Sequence, residues 1–166
     1  MDDRTLSQLV DAVTRDVLKK HNTQSGTEYS KSYISLDTAK KLAGIVENEA
    51  AKLGVKAVVA ISNAGARPVL IECMDDSYIA SYDVAFNKAY TVVALKMSTS
   101  TLKKLSQPGE SLYGIQFTNQ GQIVIFGGGE PLYMNGKIVG GLGVSGGSEE
   151  QDTYLAQYGA KIFGEV

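Results

Sequence analysis

Gln122-Ile123-Val124-Ile125-Phe126-Gly127-Gly128-Gly129-Glu130-Pro131-Leu132-Tyr133-Met134-Asn135-Gly136-Lys137-Ile138-Val139-Gly140-Gly141-Leu142-Gly143-Val144-Ser145-Gly146-Gly147-Ser148 is the stretch on which the fold turns. Gln122–Phe126 is an apolar run that predicts a strand. Pro131–Met134 and Lys137–Val144 flank Asn135-Gly136, a dipeptide suited to a type I′ turn because both central positions need positive φ. Ser148-Glu149-Glu150-Gln151 then fits a capping box and opens a helix with Leu155, Tyr158 and Ile162 on its apolar side. Gly141 to Gly146 spells G-x-G-x-x-G after a strand and before a helix. A dinucleotide site also needs a second parallel strand and an acidic residue some 20 positions on. Only twenty residues follow Gly146, nearly all helical in pattern, so that reading is set aside. These glycines serve close strand packing, or they expose N–H groups to an anion at the start of the helix. Gly127-Gly128-Gly129 carries a large entropic cost on folding and so calls for a reason. Either a flat ligand or another subunit lying across the uncovered backbone would supply it.

Upstream, Ser35 is an N-cap for a helix whose face is Leu36, Ala39, Leu42, Ala43, Val46, Ala50 and Leu53, ended by Gly54. Val55–Ser62 and Pro68–Met74 read as strands of a hairpin joined by Asn63-Ala64-Gly65-Ala66. Tyr78 to Met97 turns helical, with Ile79, Tyr82, Phe86, Ala89, Val93 and Met97 near one face, and Thr101–Leu105 adds a short turn. The order is helix, two strands, helix, three strands, helix. Short hairpin links make this an α+β fold, an α/β sandwich in which a largely antiparallel sheet is flanked by helices.

The domain proper, residues 33–166, follows two other segments. Residues 1–21 form an amphipathic N-terminal helix with Leu6, Leu9, Val10, Val13 and Val17 at helical spacing. Asp2 and Asp3 stand at the positive end of its dipole, Lys19 and Lys20 at the negative end. Residues 22–32 read as a flexible polar linker. A short tethered helix is marginal alone in water and must dock to persist. It packs on its own domain or a sister subunit, or it inserts into a groove on a different protein.

The 166 residues carry 16 Lys plus Arg against 18 Asp plus Glu, a formal charge of −2. Nucleic-acid binding would call for a basic surplus, which is missing. One cysteine and one histidine exclude a disulfide framework, zinc fingers and multi-histidine metal cages. No apolar run reaches the ~20 residues of a membrane span, and the N-terminus is unlike a secretion signal. The chain reads as cytoplasmic, with no membrane partner. His21 is either a solvated residue at a helix C-terminus, favoured by the dipole, or an axial ligand to an iron porphyrin. Cys73, inside a strand, reads as a small buried hydrophobe. Asp75 and Asp76 end that strand. Lys88 in the next helix is a surface or interface ion-pair partner, or it neutralises a propionate or phosphate. No nucleophile–base pair is evident, which speaks against a hydrolase.

Asp83-Val-Ala-Phe-Asn-Lys88-Ala89-Tyr-Thr91, Thr118-Asn119-Gln-Gly121, Phe126-Gly-Gly-Gly129-Glu-Pro131-Leu132 and Gly136 to Gly147 with Glu150-Gln-Asp152 resemble the GlcG/HbpS family of haem-binding proteins, on the PduO C-terminal branch. The resemblance runs from about Leu36 to Phe163. It implies a five-stranded sheet, homo-oligomers from dimer to octamer, and haem or another tetrapyrrole as ligand, a corrinoid being the alternative. The residues it points to for the cofactor are His21, Asp75, Lys88, Thr118, Asn119, Gly128 and Gly129, with His21 as the iron ligand. The family's tie to bacterial microcompartments makes residues 1–21 similar to an encapsulation peptide. Leu6, Leu9, Val10, Val13 and Val17 would then bind shell or cargo, and the location would be the microcompartment lumen. The adenosyltransferase part of full PduO lies outside the resemblance, so corrinoid adenosylation is not implied. Three functions follow: a haem-binding module that supports redox maintenance of a corrinoid cofactor, a small reductase or lyase acting on a corrinoid or metabolite with Lys88 and Asp75 in its pocket, or a structural adaptor of microcompartment cargo.

Overall fold

A computed structural model describes residues 33–164. The N-terminal helix with Leu6, Leu9, Val10, Val13 and Val17, the linker and His21 lie outside the described residues. The elements are α1 (Leu36–Lys52), β1 (Val58–Asn63), β2 (Pro68–Cys73), α2 (Ile79–Leu95), α3 (Thr99–Leu105), β3 (Gly129–Met134), β4 (Lys137–Ser145) and α4 (Glu149–Phe163). The sheet order is β2-β1-β4-β3, and every neighbouring pair is antiparallel. The α+β sandwich expected from the sequence is therefore present. The sheet has four strands among the described residues, where five were expected. Gln122–Phe126 makes no ladder because α2 takes its backbone. The N–H of Val124 donates to Thr91 Oγ1 (3.0 Å), and Gln122 O lies 3.3 Å from the same hydroxyl. Ile123 and Val124 are buried, so their apolarity signals core rather than strand.

One face of the sheet packs on α1 and α4, through Leu42, Val46, Val59, Ile61, Leu142, Val144, Leu155 and Phe163. α1 buries Ala39, Leu42, Ala43, Val46 and Ala50 and is capped by Ser35 Oγ, which accepts from the N–H of Thr38 (3.1 Å). The other face carries α2, where Ala85 and Ala89 meet Val58 and Ala60. Gly143 of β4 permits this approach: a Cβ there would collide with Ala85 O and stand 2.7 Å from the N–H nitrogen of Ala89. The predicted face of α2 holds at Phe86, Ala89 and Val93, which are buried or packed on this side, and is corrected at the start of the helix. Ser81, Ala85, Lys88, Ala89 and Val92 point inward, while Ile79 is 96 % exposed and Tyr82 48 % exposed. Small residues are needed where a helix lies this close to strand backbone, and Ile79 and Tyr82 fall outside.

The Asn135-Gly136 turn (φ 51° and 74°) joins β3 to β4 as predicted. The capping box at Ser148 and Gln151 is complete, although the buried side of α4 is Asp152, Leu155, Ala156, Gly159 and Phe163. Cys73 is exposed, not buried, because it ends the edge strand β2. No helix among the described residues is long and apolar enough to cross a membrane.

Candidate functional site

Lys88 lies on the inward stripe of α2 and is wholly buried. Its Nζ donates to Val144 O at the end of β4 (2.7 Å) and to Asp152 Oδ2 in α4 (2.9 Å). It also lies 5.0 Å from the centroid of the Phe126 ring. Asp152 Oδ1 accepts from the N–H of Gly147 (2.9 Å). Burial pushes the Lys88 ammonium below the ordinary lysine range, against the pull of Asp152. Burial likewise pushes the Asp152 carboxyl above the ordinary carboxylate range, against Lys88. The expected ion pair of Lys88 is thus internal to the subunit, and its ammonium does not reach a ligand's propionate or phosphate. The partner was legible in retrospect: a lysine on an otherwise small, apolar stripe needs a buried acid, and Asp152 stood among the motif residues.

The glycine loop closes over this pair. Gly128 has φ 105°, and a Cβ there would stand 2.6 Å from Lys88 Nζ and 2.8 Å from Val144 O. The N–H of Gly127 donates to Glu149 Oε1 (2.9 Å), that of Gly129 donates to Thr99 Oγ1 (2.9 Å), and Gly128 O accepts from Val144 (2.8 Å). All three glycines are buried. Gly128 and Gly129 are therefore sealed under the starts of α3 and α4, and they offer no backbone to a flat ligand. The N-terminus of α4 is equally occupied. The N–H groups of Gly147, Ser148 and Gln151 bond to Asp152, Gln151 and Ser148, so an anion finds no free donor among them.

The remaining expected residues are exposed and apart. Asp75 sits in the turn after β2. Thr118 joins two 3-10 turns, Ile115–Phe117 and Asn119–Gly121, and Asn119 opens the second. Asn119 Nδ2 donates to the hydroxyl of Tyr90 on α2 (3.1 Å). Three open clefts stand out among the described residues. One, of about 470 Å³, is lined by Lys56, Asp76, Tyr78, Gly146, Gly147, Ser148 and Gln151 together with Gly54 and Val55. A second, of about 530 Å³, lies between the β1–β2 turn and α2 and includes Arg67, Tyr90 and Gln122. A third, of about 330 Å³, runs along α4 beside Lys103, Glu149 and Glu150. Lys88 and Asp75 line none of the three.

Tyr78 (72 % exposed) lines the first cleft, and Ile79 and Tyr82, also exposed, follow it at the start of α2. Residues at i, i+3 and i+4 share a helix face, so these three form one apolar patch. Part of the sequence signal for it was present, since Ile79 and Tyr82 were assigned to the helix face, but the direction of that face was not.

Three comparisons bear on this arrangement. A family model described as "Haem degrading protein HbpS-like" matches residues 34–161. An uncharacterized 15.0 kDa protein from the dhaT-dhaS intergenic region of Citrobacter freundii is 45% identical over 133 residues, covering 80% of this chain and 94% of that one. Corrinoid adenosyltransferase PduO of Salmonella typhimurium is 36% identical over 149 residues, 87% of this chain, which spans only 44% of PduO. The crystal structure of a PduOC–haem complex superposes with a TM-score of 0.75 at 38% identity, covering 78% of this chain and 94% of that one.

Proposed function

The chain belongs to the HbpS-like family, and from that premise we propose that it is an oligomeric haem-binding protein that serves a bacterial microcompartment. A haem needs an apolar surface for its macrocycle, a cation for its carboxylates and an iron ligand. The described residues fit the first two at one place. Tyr78, Ile79 and Tyr82 provide the apolar surface, and Lys56 lines the same cleft as Tyr78. That patch, beside a relative solved with haem, is the observation that carries the reading. Histidine, tyrosine, methionine and cysteine are the usual iron ligands. His21 is the proposed ligand, with the Tyr78 hydroxyl as its replacement in the same cleft. Bound haem would supply a redox-active iron; the protein's part is to hold and shield it.

A second copy is proposed to close over the same patch with the haem held between the two, since Ile79 is almost fully solvated in one subunit. Residues 1–21 are proposed to target the assembly to a shell or to cargo through Leu6, Leu9, Val10, Val13 and Val17. The redox upkeep of a corrinoid cofactor is the proposed purpose, suggested by the likeness to PduO.

Hemin titrated into the purified protein should give a shifted Soret band that saturates at one haem per subunit or per dimer. Tyr78→Ala combined with Ile79→Ser should weaken uptake at least tenfold, and His21→Ala should change the position of the band. Absence of a saturating band, or uptake indifferent to the patch, overturns the proposal.

A further inference from the structure

We infer that the cleft between the β1–β2 turn and α2 is a binding site for a small organic carboxylate with a compact apolar body, separate from the haem patch. Its lining is Arg67, Tyr90 and Gln122 with Ala64, Ala66, Val93 and Ala94 around them, besides Gly65. The three clefts differ in charge. The first sets Lys56 against Asp76, and the third sets Lys103 against Glu149 and Glu150. The lining of the second holds a guanidinium and no acid. Arg67 forms no salt bridge among the described residues. A permanent, weakly hydrated cation with a forked donor set is the side chain suited to a carboxylate.

The other groups agree with that class of ligand. The Tyr90 hydroxyl accepts from Asn119 Nδ2, which leaves its own proton to donate. The Gln122 carboxamide adds a neutral polar group. Val93, Ala94, Ala64 and Ala66 form the apolar wall, and about 530 Å³ lies in the range of small-molecule sites, ~300–1,000 Å³. The site is also pre-formed. Asn63 Oδ1 accepts from the N–H groups of Gly65 (2.8 Å) and Arg67 (3.1 Å), and the N–H of Asn63 donates to Arg67 O (2.8 Å). The turn backbone that carries Arg67 is therefore held before any ligand arrives, which lowers the ordering cost of binding. This also gives Asn119 a role, that of orienting the Tyr90 phenol.

The test is calorimetric titration of the full chain with benzoate, butyrate and inorganic phosphate at constant ionic strength. Benzoate and butyrate should saturate one site per subunit. Arg67→Gln should weaken them at least tenfold, while Lys56→Gln, in the other cleft, leaves them unchanged. Asn119→Ala should weaken them several-fold with the circular dichroism spectrum preserved. Hemin uptake should be the same in Arg67→Gln as in the parent, so loss of haem binding and loss of carboxylate binding report on different sites. No saturable carboxylate heat, equal sensitivity to Lys56→Gln, or phosphate binding as tight as benzoate overturns the inference.

Discussion

Lys88→Ala strands the carboxyl of Asp152 in the interior and opens a cavity under Phe126. Truncating one member of a buried ion pair costs about 3–5 kcal/mol. Urea unfolding should show a loss of that size, and the double change Lys88→Met with Asp152→Leu should recover most of it. A single-variant loss under about 0.5 kcal/mol, the ordinary range for surface substitutions, would contradict the burial. Gly128→Ala meets two obstacles at once, φ 105° and the contacts with Lys88 Nζ and Val144 O. Strain and overpacking together predict a loss of about 2–5 kcal/mol, read from the same unfolding curves. Lys88 was legible in the sequence as a chemically significant residue, but its role was not. A lysine looks the same in sequence whether a ligand or an aspartate sixty-four positions on accepts its hydrogen bond.

Glu149 ties three elements together: it accepts from Lys103 of α3 (2.6 Å) and from Gly127 of the loop, while it begins α4. The hydrogen bond from Lys103, then that from Gly127, holds its carboxyl below the ordinary glutamate range. A depressed native value means that the unfolded chain binds the proton more readily. The stabilisation is then complete above the ordinary glutamate range and disappears as the pH falls through and below it. Acid unfolding followed by circular dichroism should be shallower in Glu149→Gln than in the parent. Identical acid limbs would show that this tie contributes nothing. At this scale the sequence was readable where one segment sets its own geometry: the Ser148 capping box, the Ser35 cap and the Asn135-Gly136 turn are local bargains between near neighbours. Gln122–Phe126 was misread because its backbone partner, Thr91, lies some thirty positions away, and apolar runs of strand and of buried loop look alike.

In the whole molecule the start of α2, like Phe117 at 83 %, is one apolar feature left exposed among the described residues. If a second copy covers it, Ile79→Asp should lower the sedimentation-equilibrium mass with the circular dichroism spectrum unchanged. A mass that stays the same removes Ile79 from any interface. Fusing residues 1–21 to a fluorescent reporter tests the other proposed contact: puncta in shell-producing cells support it, and diffuse signal defeats it.

Periodicity and cap chemistry in the chain alone determined the α+β class, the antiparallel hairpins and the limits of most helices, because those depend on contacts within a few residues. The motif residues determined the family. Tertiary structure decided which of them are buried and which stand at the surface. It buried Lys88, Gly128 and Gly129 under α3 and α4, left Asp75 and Asn119 on the surface, and turned Ile79 and Tyr82 outward. The physical reason is the close approach of α2 to glycine backbone in β4. Only the small side chains and one paired lysine fit between them, and that sorting depends on a packing distance which no spacing in the sequence encodes.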